Sequence, residues 1–526
     1  MESGKTVNVV CLDLATYRVQ LGPEHHRVHR LRRVAAGRLV ERICRHPLAR
    51  GRHSFSRGLL AIGTALARQG ARVQFIHASG TNRTALDEGI RRADVICIYV
   101  VTPLAEVCLS LAEHARRENP HATIALGGPH IRTQGEHLLA SGLADFVCFG
   151  WPSPERVAEA LTEPSSRGTC PGIGYLDAGA VRVNSWSRSE RRTEADVDYT
   201  LLPLPLSSYH INTTSSYGCM STCPYCSEAS TPRVIRHPDT VLRELAFLAQ
   251  TLGAGSWVHF FDSTFTLPRD HATTLCRAMS SNQHRLALSC NVQPGSVTPT
   301  MAKHLHSANV KMASIGFETA DEAVLRATKG LSSFRTSCEC AALLKRYAPT
   351  CVVKANWMLG IPGTTEYSVR RDIDTMERLV DDGVVDLVGP KLFIPYPETH
   401  YYQDPTAHGL QIWTTAWGCY DRFHIPPPAT PLAISRERLG ELLVEAEERV
   451  LEAYCRRLAV STGMLEASDD EPGGYAGHLY GSARTSPSGL DSSDGDAAAP
   501  APGIGERRVD VERSESRPRT RDVIEP

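Results

Sequence analysis

Between residues 211 and 393 one unit recurs six times: a short apolar strand, a loop, and a stretch with helical periodicity. The strands expected are Ile211–Ser216, Trp257–Phe261, Leu286–Cys290, Lys311–Ile315, Cys351–Leu359 and Asp386–Phe393. Helices fit between them, for example Thr240–Leu252, Thr298–Ala308, Phe334–Tyr347 and Thr365–Asp381. Apolar strands alternating with helices call for cover on both faces of a parallel sheet. Six such units predict a partial (β/α)6 barrel, with its chemistry at the carboxyl ends of the strands. Those ends carry, in order, a three-cysteine loop, FDSTFT with Asp262 and Phe265, Asn291-Val292-Gln293, Gly316-Phe317-Glu318, MLGIPGTT (358–365) and IPYPET (394–399). Any one of them is ordinary turn chemistry. Six in register with a cysteine loop form a candidate site.

The first loop, INTTSSYGCMSTCPYCSE (211–228), spaces Cys219, Cys223 and Cys226 as C-x3-C-x2-C. Soft thiolates this close together suit an iron–sulfur cluster. Three ligands hold three irons of a [4Fe–4S] cluster and leave the fourth iron open to a small molecule. A structural zinc site wants a closed set of four ligands, and no further Cys or His stands nearby at matching spacing. Inert buried thiols are the default for most of the sixteen cysteines; three within eight residues depart from that default.

Upstream, short apolar runs again alternate with helical stretches. The strands expected are Val7–Leu14, 71–79, Ala93–Val101, Ala122–Gly128 and Asp145–Gly150, with helices at Gly58–Gly70, Leu104–Glu118 and Pro154–Leu161. This pattern predicts a doubly wound, Rossmann-like α/β domain over residues 1–162, binding a ligand at the carboxyl ends of its strands. Those ends hold Thr102-Pro103, Gly127-Gly128-Pro129-His130 and Gly150-Trp151. By pattern alone they frame either a cofactor-sized crevice or a purely structural domain.

Residues 163–205 are polar and turn-rich and read as a linker with a hairpin near Ile173–Val183. The barrel is expected over 206–400 and an aromatic and helical region over 401–462, including a helix or helix pair at Leu432–Leu458. In the region Tyr396–Arg422, Tyr401, Trp413 and Trp417 serve either a lid over the barrel mouth or core packing. From about Gly463 to 526 the composition shifts to Ser, Gly, Pro, Asp and Arg, and a disordered tail is expected.

The motifs resemble those of the radical S-adenosylmethionine (SAM) enzymes. The cysteine loop, with Tyr225 before its third cysteine, is similar to their defining motif, and the upstream domain resembles the cobalamin-binding domain that precedes many such cores. The upstream likeness is best at ALGGPH (125–130); the turn that often reads Gly-Glu-Gly-Glu in the family is GWPSPE here. The resemblance spans 7–428 and implies three cofactors: a [4Fe–4S] cluster, SAM and cobalamin. It implies that SAM chelates the open iron, that Asp262 accepts from the SAM amino group and that Glu318 lies near the ribose. Tyr225 and the turn at Gly360, Pro362 and Gly363 would complete the SAM site, glycine permitting close approach of the adenine. A buried carboxylate with a purely structural role is the competing account of Asp262 and Glu318. For cobalamin the resemblance points to Thr102, Gly127, Gly128 and His130. The D-x-H-x-x-G motif that supplies a cobalt ligand in other proteins is absent, so binding without such a histidine is expected. His53 and Arg57 are candidates for the lower corrin face, although an exposed loop charge is the simpler account.

The reaction implied is C-methylation of an unactivated carbon on a small-molecule or peptide substrate. By analogy alone it belongs to secondary metabolism such as antibiotic biosynthesis, with flavodoxin or ferredoxin as electron donor. The alternative is a non-methylating rearrangement, dehydration, cyclisation or epimerisation. A nucleic-acid methylthiotransferase fits less well, because Cys11, Cys44, Cys97, Cys108 and Cys148 form no second cluster motif. A formal net charge of −1 gives no bulk electrostatic case for nucleic acid. No apolar run is long enough to span a bilayer and the N-terminus lacks the apolar core of a secretion signal; a reducing cytoplasm is the expected compartment.

Overall fold

The computed structural model describes residues 6–14, 23–45, 53–78, 83–186, 196–282, 285–330 and 332–467. In the first part of the chain come β1 (Asn8–Asp13), α1 (Pro23–Cys44), α2 (Arg57–Arg68), β2 (Arg72–His77), α3 (Arg83–Arg92), β3 (Val95–Tyr99), α4 (Ala105–Glu118), β4 (Thr123–Gly127), α5 (Ile131–Ala140), β5 (Phe146–Cys148) and α6 (Pro154–Thr162). A hairpin, β6 (Ile173–Asp177) and β7 (Ala180–Val183), follows. These strands form one sheet in the order 2-1-3-4-5-6-7, parallel through β5 and antiparallel beyond it. The doubly wound expectation is met. The hairpin, expected within a linker, is instead the sheet's own edge, because β6 pairs with β5 through Phe146, Val147 and Cys148.

The second sheet is built from β8 (Ile211–Thr213), a two-stranded ladder of β9 (Ser216–Tyr217) and β10 (Val234–Ile235), then α7 (Pro238–Leu252), β11 (Trp257–Phe260), α8 (Arg269–Asn282), β12 (Ala287–Val292), α9 (Pro299–Ser307), β13 (Val310–Glu318), α10 (Glu322–Lys329), α11 (Phe334–Tyr347), β14 (Val352–Leu359), α12 (Glu366–Asp381) and β15 (Leu387–Leu392). Its six parallel strands run in sequential order, 8-11-12-13-14-15. Sequential order with helical crossovers gives an incomplete β/α barrel. The first strand is shorter than expected: it stops at Thr213, and the chain re-pairs only at Ser216. After the barrel come α13 (His400–Gln403), β16 (Leu410–Ile412), β17 (Ala429–Pro431), α14 (Arg436–Leu458) and α15 (Thr462–Ala467). Residues 462–467 are therefore helical rather than the start of a tail; the rest of the expected tail lies outside the described residues.

An incomplete barrel leaves strand edges to be satisfied. At β15 the cover is α14, whose Tyr454 hydroxyl accepts from Val388 N–H at 2.7 Å and donates to Val388 C=O at 3.0 Å. At β8 it comes from the first domain and the segment after it: Arg57 and the Tyr199 hydroxyl both donate to Asn212 C=O. Tyr454→Phe strips a buried edge of both bonds, and a loss of about 1–3 kcal/mol in urea unfolding is expected; an unchanged midpoint would show that the edge is satisfied otherwise.

Helix α1, like α3 and α5, is an element that sequence reading did not anticipate. It packs along α14, and the face it presents carries His25, His29 and Arg32, all buried. Glu447 of α14 receives all three, at 2.8, 2.8 and 2.5 Å. Arg57 also departs from expectation. It is no exposed loop charge but a guanidinium only 11% exposed, paired with both oxygens of Glu244 at 2.8 and 3.0 Å.

Candidate active site

The cysteine loop begins where β8 breaks. Gly218 takes φ +81°, and a Cβ there would stand 2.1 Å from Pro232 O, so only glycine fits. Thr231 closes the loop, its hydroxyl accepting from Cys219 N–H and its own N–H donating to Cys219 C=O, both at 2.9 Å. Cys219, Cys223 and Cys226 are half-buried within one loop. Burial pushes the Cys223 thiol up, and the Cys226 thiol to about 11. Partly desolvated thiolates need a cationic partner, and three on a pre-shaped loop fit the iron–sulfur donor set. Tyr225 bonds to Cys223 and packs with Met358 against Val324, Ile361, Phe393, Tyr401 and Leu410.

Asp262 is buried, and both its oxygens are engaged. Oδ2 accepts from Ser215 N–H at 2.8 Å, and Oδ1 from the Ser215 and Ser216 hydroxyls at 2.7 and 2.8 Å. The carboxylate thus pins the break between β8 and β9, from which the cysteine loop springs. Burial outweighs these donors and raises its pKa.

Glu318 ends β13 with φ +65°, a conformation that non-glycine residues hold only where the surroundings enforce it. Its carboxylate pairs with Lys329 Nζ at 2.9 Å, and the same ammonium donates to Gly316 C=O at 2.9 Å. A Cβ at Gly316 would lie 2.3 Å from the Glu318 carboxylate and 2.6 Å from Lys329 Nζ. In the β14 turn, Gly360 (φ +79°) faces Leu439, 2.5 Å from where a Cβ would stand, and Gly363 also has positive φ. Pro362 lies between them, and Thr365 caps α12 with a capping box.

In the first domain, Gly127 and Gly128 stand at the carboxyl edge of the sheet. A Cβ on Gly127 would touch little, the nearest atom being Cys148 Cβ at 3.8 Å. Thr102 and His130, by contrast, are 4% and 1% exposed. Trp417, from the segment after the barrel, closes over them: its ring meets His130 edge-on at 5.0 Å and its backbone N–H donates to Glu106 at 2.9 Å. Burial holds the His130 imidazole neutral, near 4. His53 is half-buried, stacked on His77 at 5.6 Å and bridged to Tyr209. In the aromatic region Tyr401 is core, whereas Trp413 is 50% exposed.

The two domains meet through Arg132, which sequence reading missed. From α5 it reaches Glu398 of the IPYPET loop at 3.3 Å and Glu228, two residues past Cys226, at 4.0 Å, while stacking on Trp151 at 4.6 Å. Its only signal was a basic residue two places after the GGPH turn.

Comparison with known proteins fits this geometry. The model of the radical SAM superfamily matches residues 213–376, and that of the B12 binding domain matches 50–158. The chain is a radical SAM enzyme with a B12-binding domain. The cofactors of the enzyme are accordingly a [4Fe–4S] cluster, SAM and cobalamin. It is 22% identical over 372 residues to an uncharacterized methyltransferase of Pyrococcus horikoshii, covering 67% of this chain and 77% of that one. Its fold is similar to that of TsrM from Kitasatospora setae, a radical SAM methyltransferase solved with cobalamin and a [4Fe–4S] cluster bound, with TM-score 0.58, 16% identity, 85% of this chain and 82% of that one. It is also similar to the cobalamin-dependent SAM radical enzyme OxsB, with TM-score 0.52, 14% identity, 72% of this chain and 52% of that one. No helix among the described residues is long and apolar enough to cross a membrane.

Proposed function

We propose that the enzyme methylates an unactivated carbon of a small-molecule or peptide substrate, drawing electrons from a flavodoxin- or ferredoxin-type donor. The observation that carries this reading is Arg132, which ties the edge of the B12-binding sheet at once to the cysteine loop and to the loop after the last barrel strand. Methyl delivery to a carbon held in the barrel requires such a short span between the two cofactor sites. When bound, the cluster and the corrin supply the one-electron cleavage of SAM and the methyl group. The protein's own part is to hold them in register and keep water out.

Cys219, Cys223 and Cys226 would hold the cluster, and Glu318, poised by Lys329, the SAM ribose. Tyr225 and the 360–363 turn would shape the rest of the SAM site. Gly127 and Gly128 would border the corrin. The closure of Thr102 and His130 under Trp417 speaks for a packing role in both. Asp262, with three protein donors on its carboxylate, acts in this reading as a positioning residue rather than as a direct partner of the SAM amine. Asp262→Ala leaves Ser215 and Ser216 unsatisfied in a buried site. It is therefore expected to lower retained iron as well as SAM affinity, measured by iron content after desalting and by equilibrium dialysis. Full iron with weakened SAM alone would restore Asp262 to direct contact.

The reaction is tested by paired anaerobic incubations of the holoenzyme with SAM and with methyl-deuterated SAM in a metabolite and peptide extract. A product whose mass follows the isotope of the SAM methyl supports methylation. SAM cleavage with products indifferent to the label would instead assign a rearrangement, dehydration, cyclisation or epimerisation.

A further inference from the structure

A β/α barrel normally fills its interior with branched apolar side chains. This one does not. Trp357 of β14 stacks on Phe317 of β13 at 5.7 Å, and both rings meet Phe334 of α11, at 6.2 and 5.6 Å. These positions therefore face the helical layer, and Lys354, Asn356 and Met358 alternate to the concave side. Met358 lies in register with Lys391 of β15, and Lys354 with Ser314; register partners in a parallel pair share a face. The concave wall thus carries two lysines. Arg422 joins them at the mouth, its C=O accepting from Leu392 N–H at 2.9 Å at the carboxyl end of β15.

The carboxylate that acts on Lys391 is shared with another lysine, and the one beside Arg422 already holds a backbone donor. Glu318 is paired with Lys329 at 2.9 Å, and Asp421 accepts from Phe423 N–H at 2.8 Å. Lys391 makes no hydrogen bond or ion pair among the described residues. Burial, then Arg422 and Lys354, depress its ammonium well below the ordinary range, and burial sets Lys354 at about 7. Lys391 is half-buried; a partly desolvated cation without a counterion is costly, and so is a buried amide oxygen without a donor. Asn356 Oδ1, on the same wall, is one such oxygen. A bound molecule that brings both an anion and a hydrogen-bond donor settles both accounts.

We infer that Lys391, with Lys354 deeper on the same wall and Arg422 at the mouth, receives an anionic group of the substrate, a carboxylate or a phosphate, while Asn356 accepts from a donor on the same molecule. The inference rests on the barrel interior being the reaction chamber of the proposed methyl transfer and narrows the substrate to an anion.

The test is a ligand-observed NMR titration of the reconstituted holoenzyme with inorganic phosphate and, separately, with acetate, in the absence and presence of saturating SAM. Saturable binding of one or both that survives SAM is expected. Phosphate alone marks a phosphorylated substrate, and acetate as well marks a carboxylate. Lys391→Gln should weaken it at least about tenfold, the share of one charge-assisted bond, and Lys391→Arg should restore it. Retained cluster absorbance and an unchanged unfolding midpoint identify the variant proteins as folded. No saturable binding, equal binding to K391Q, or displacement by SAM would each overturn the inference, the last by giving Lys391 to the SAM carboxylate. None of these outcomes depends on methyl transfer, so the anion site and the reaction fail separately.

Discussion

Cys223→Ala is expected to abolish the visible absorbance of the reconstituted cluster and with it reductive cleavage of SAM. The loss should be complete, because a cluster already one protein ligand short would rest on two thiolates. The loop itself should survive the substitution. Its shape is set by Gly218 at φ +81° and by the two bonds between Thr231 and Cys219, none of which involves the Cys223 sulfur. The unfolding midpoint of the apoprotein should therefore stay put while the absorbance disappears. Cys351→Ala is the control: that sulfur lies in the core between sheet and helices, so its loss should cost stability by leaving a cavity and spare the cluster. Retained absorbance and SAM cleavage in the Cys223 variant would remove this loop from the cluster site.

Glu447→Ala should be the most destabilising single change, by about 3–5 kcal/mol, the cost of breaking a buried ion pair and stranding its partner. The carboxylate is fully buried and receives His25, His29 and Arg32; without it the Arg32 guanidinium is left as a buried charge between α1 and α14. Burial alone would raise the Glu447 pKa, but Arg32, followed by His29, outweighs it and holds the carboxyl well below the usual range. A carboxyl with a depressed folded pKa stabilises the fold above its unfolded value of about 4.3 and loses that contribution as pH falls. Burial likewise lowers His29, so its shift has the same sign, reaching up to its unfolded value of about 6.5. Wild-type protein should weaken steadily in acid below that value. Glu447→Gln should start less stable and show a shallower acid limb in urea unfolding followed by circular dichroism. An acid limb identical to wild type would assign the pH dependence elsewhere.

How far the sequence disclosed these features follows from where each signal lies. The six barrel strands were legible because each is a short apolar run closed by polar or glycine-rich residues, and the cysteine site because its whole signature sits within eight positions. Helix α1 was not legible, because the side chains it buries include His25, His29 and Arg32, which read as solvent-facing until Glu447, more than four hundred residues away, is placed beside them. Arg57 was misread for the same reason: Glu244, 187 residues on, turns a loop charge into a largely sheltered ion pair. The hairpin at 173–183 was visible as a hairpin, but its pairing with β5 is a tertiary fact. Glu318 and Gly316 stood out from their place at a strand end; the pairing of Glu318 with Lys329 over Gly316 became visible only with the β13 bulge. Lys354 and Lys391 lie within apolar runs, where a lone lysine carries no mark of the face it will take.

The central claim is that one chain holds both an iron–sulfur cluster and a corrin. It is tested most directly by anaerobic reconstitution with iron, sulfide and hydroxocobalamin, followed by desalting, a visible spectrum and metal analysis. The account predicts about four irons and about one cobalt per chain, the cobalt retained through desalting. Iron without cobalt would contradict it, leaving a radical SAM barrel whose first domain is scaffold and whose chemistry is not methyl transfer from a corrin.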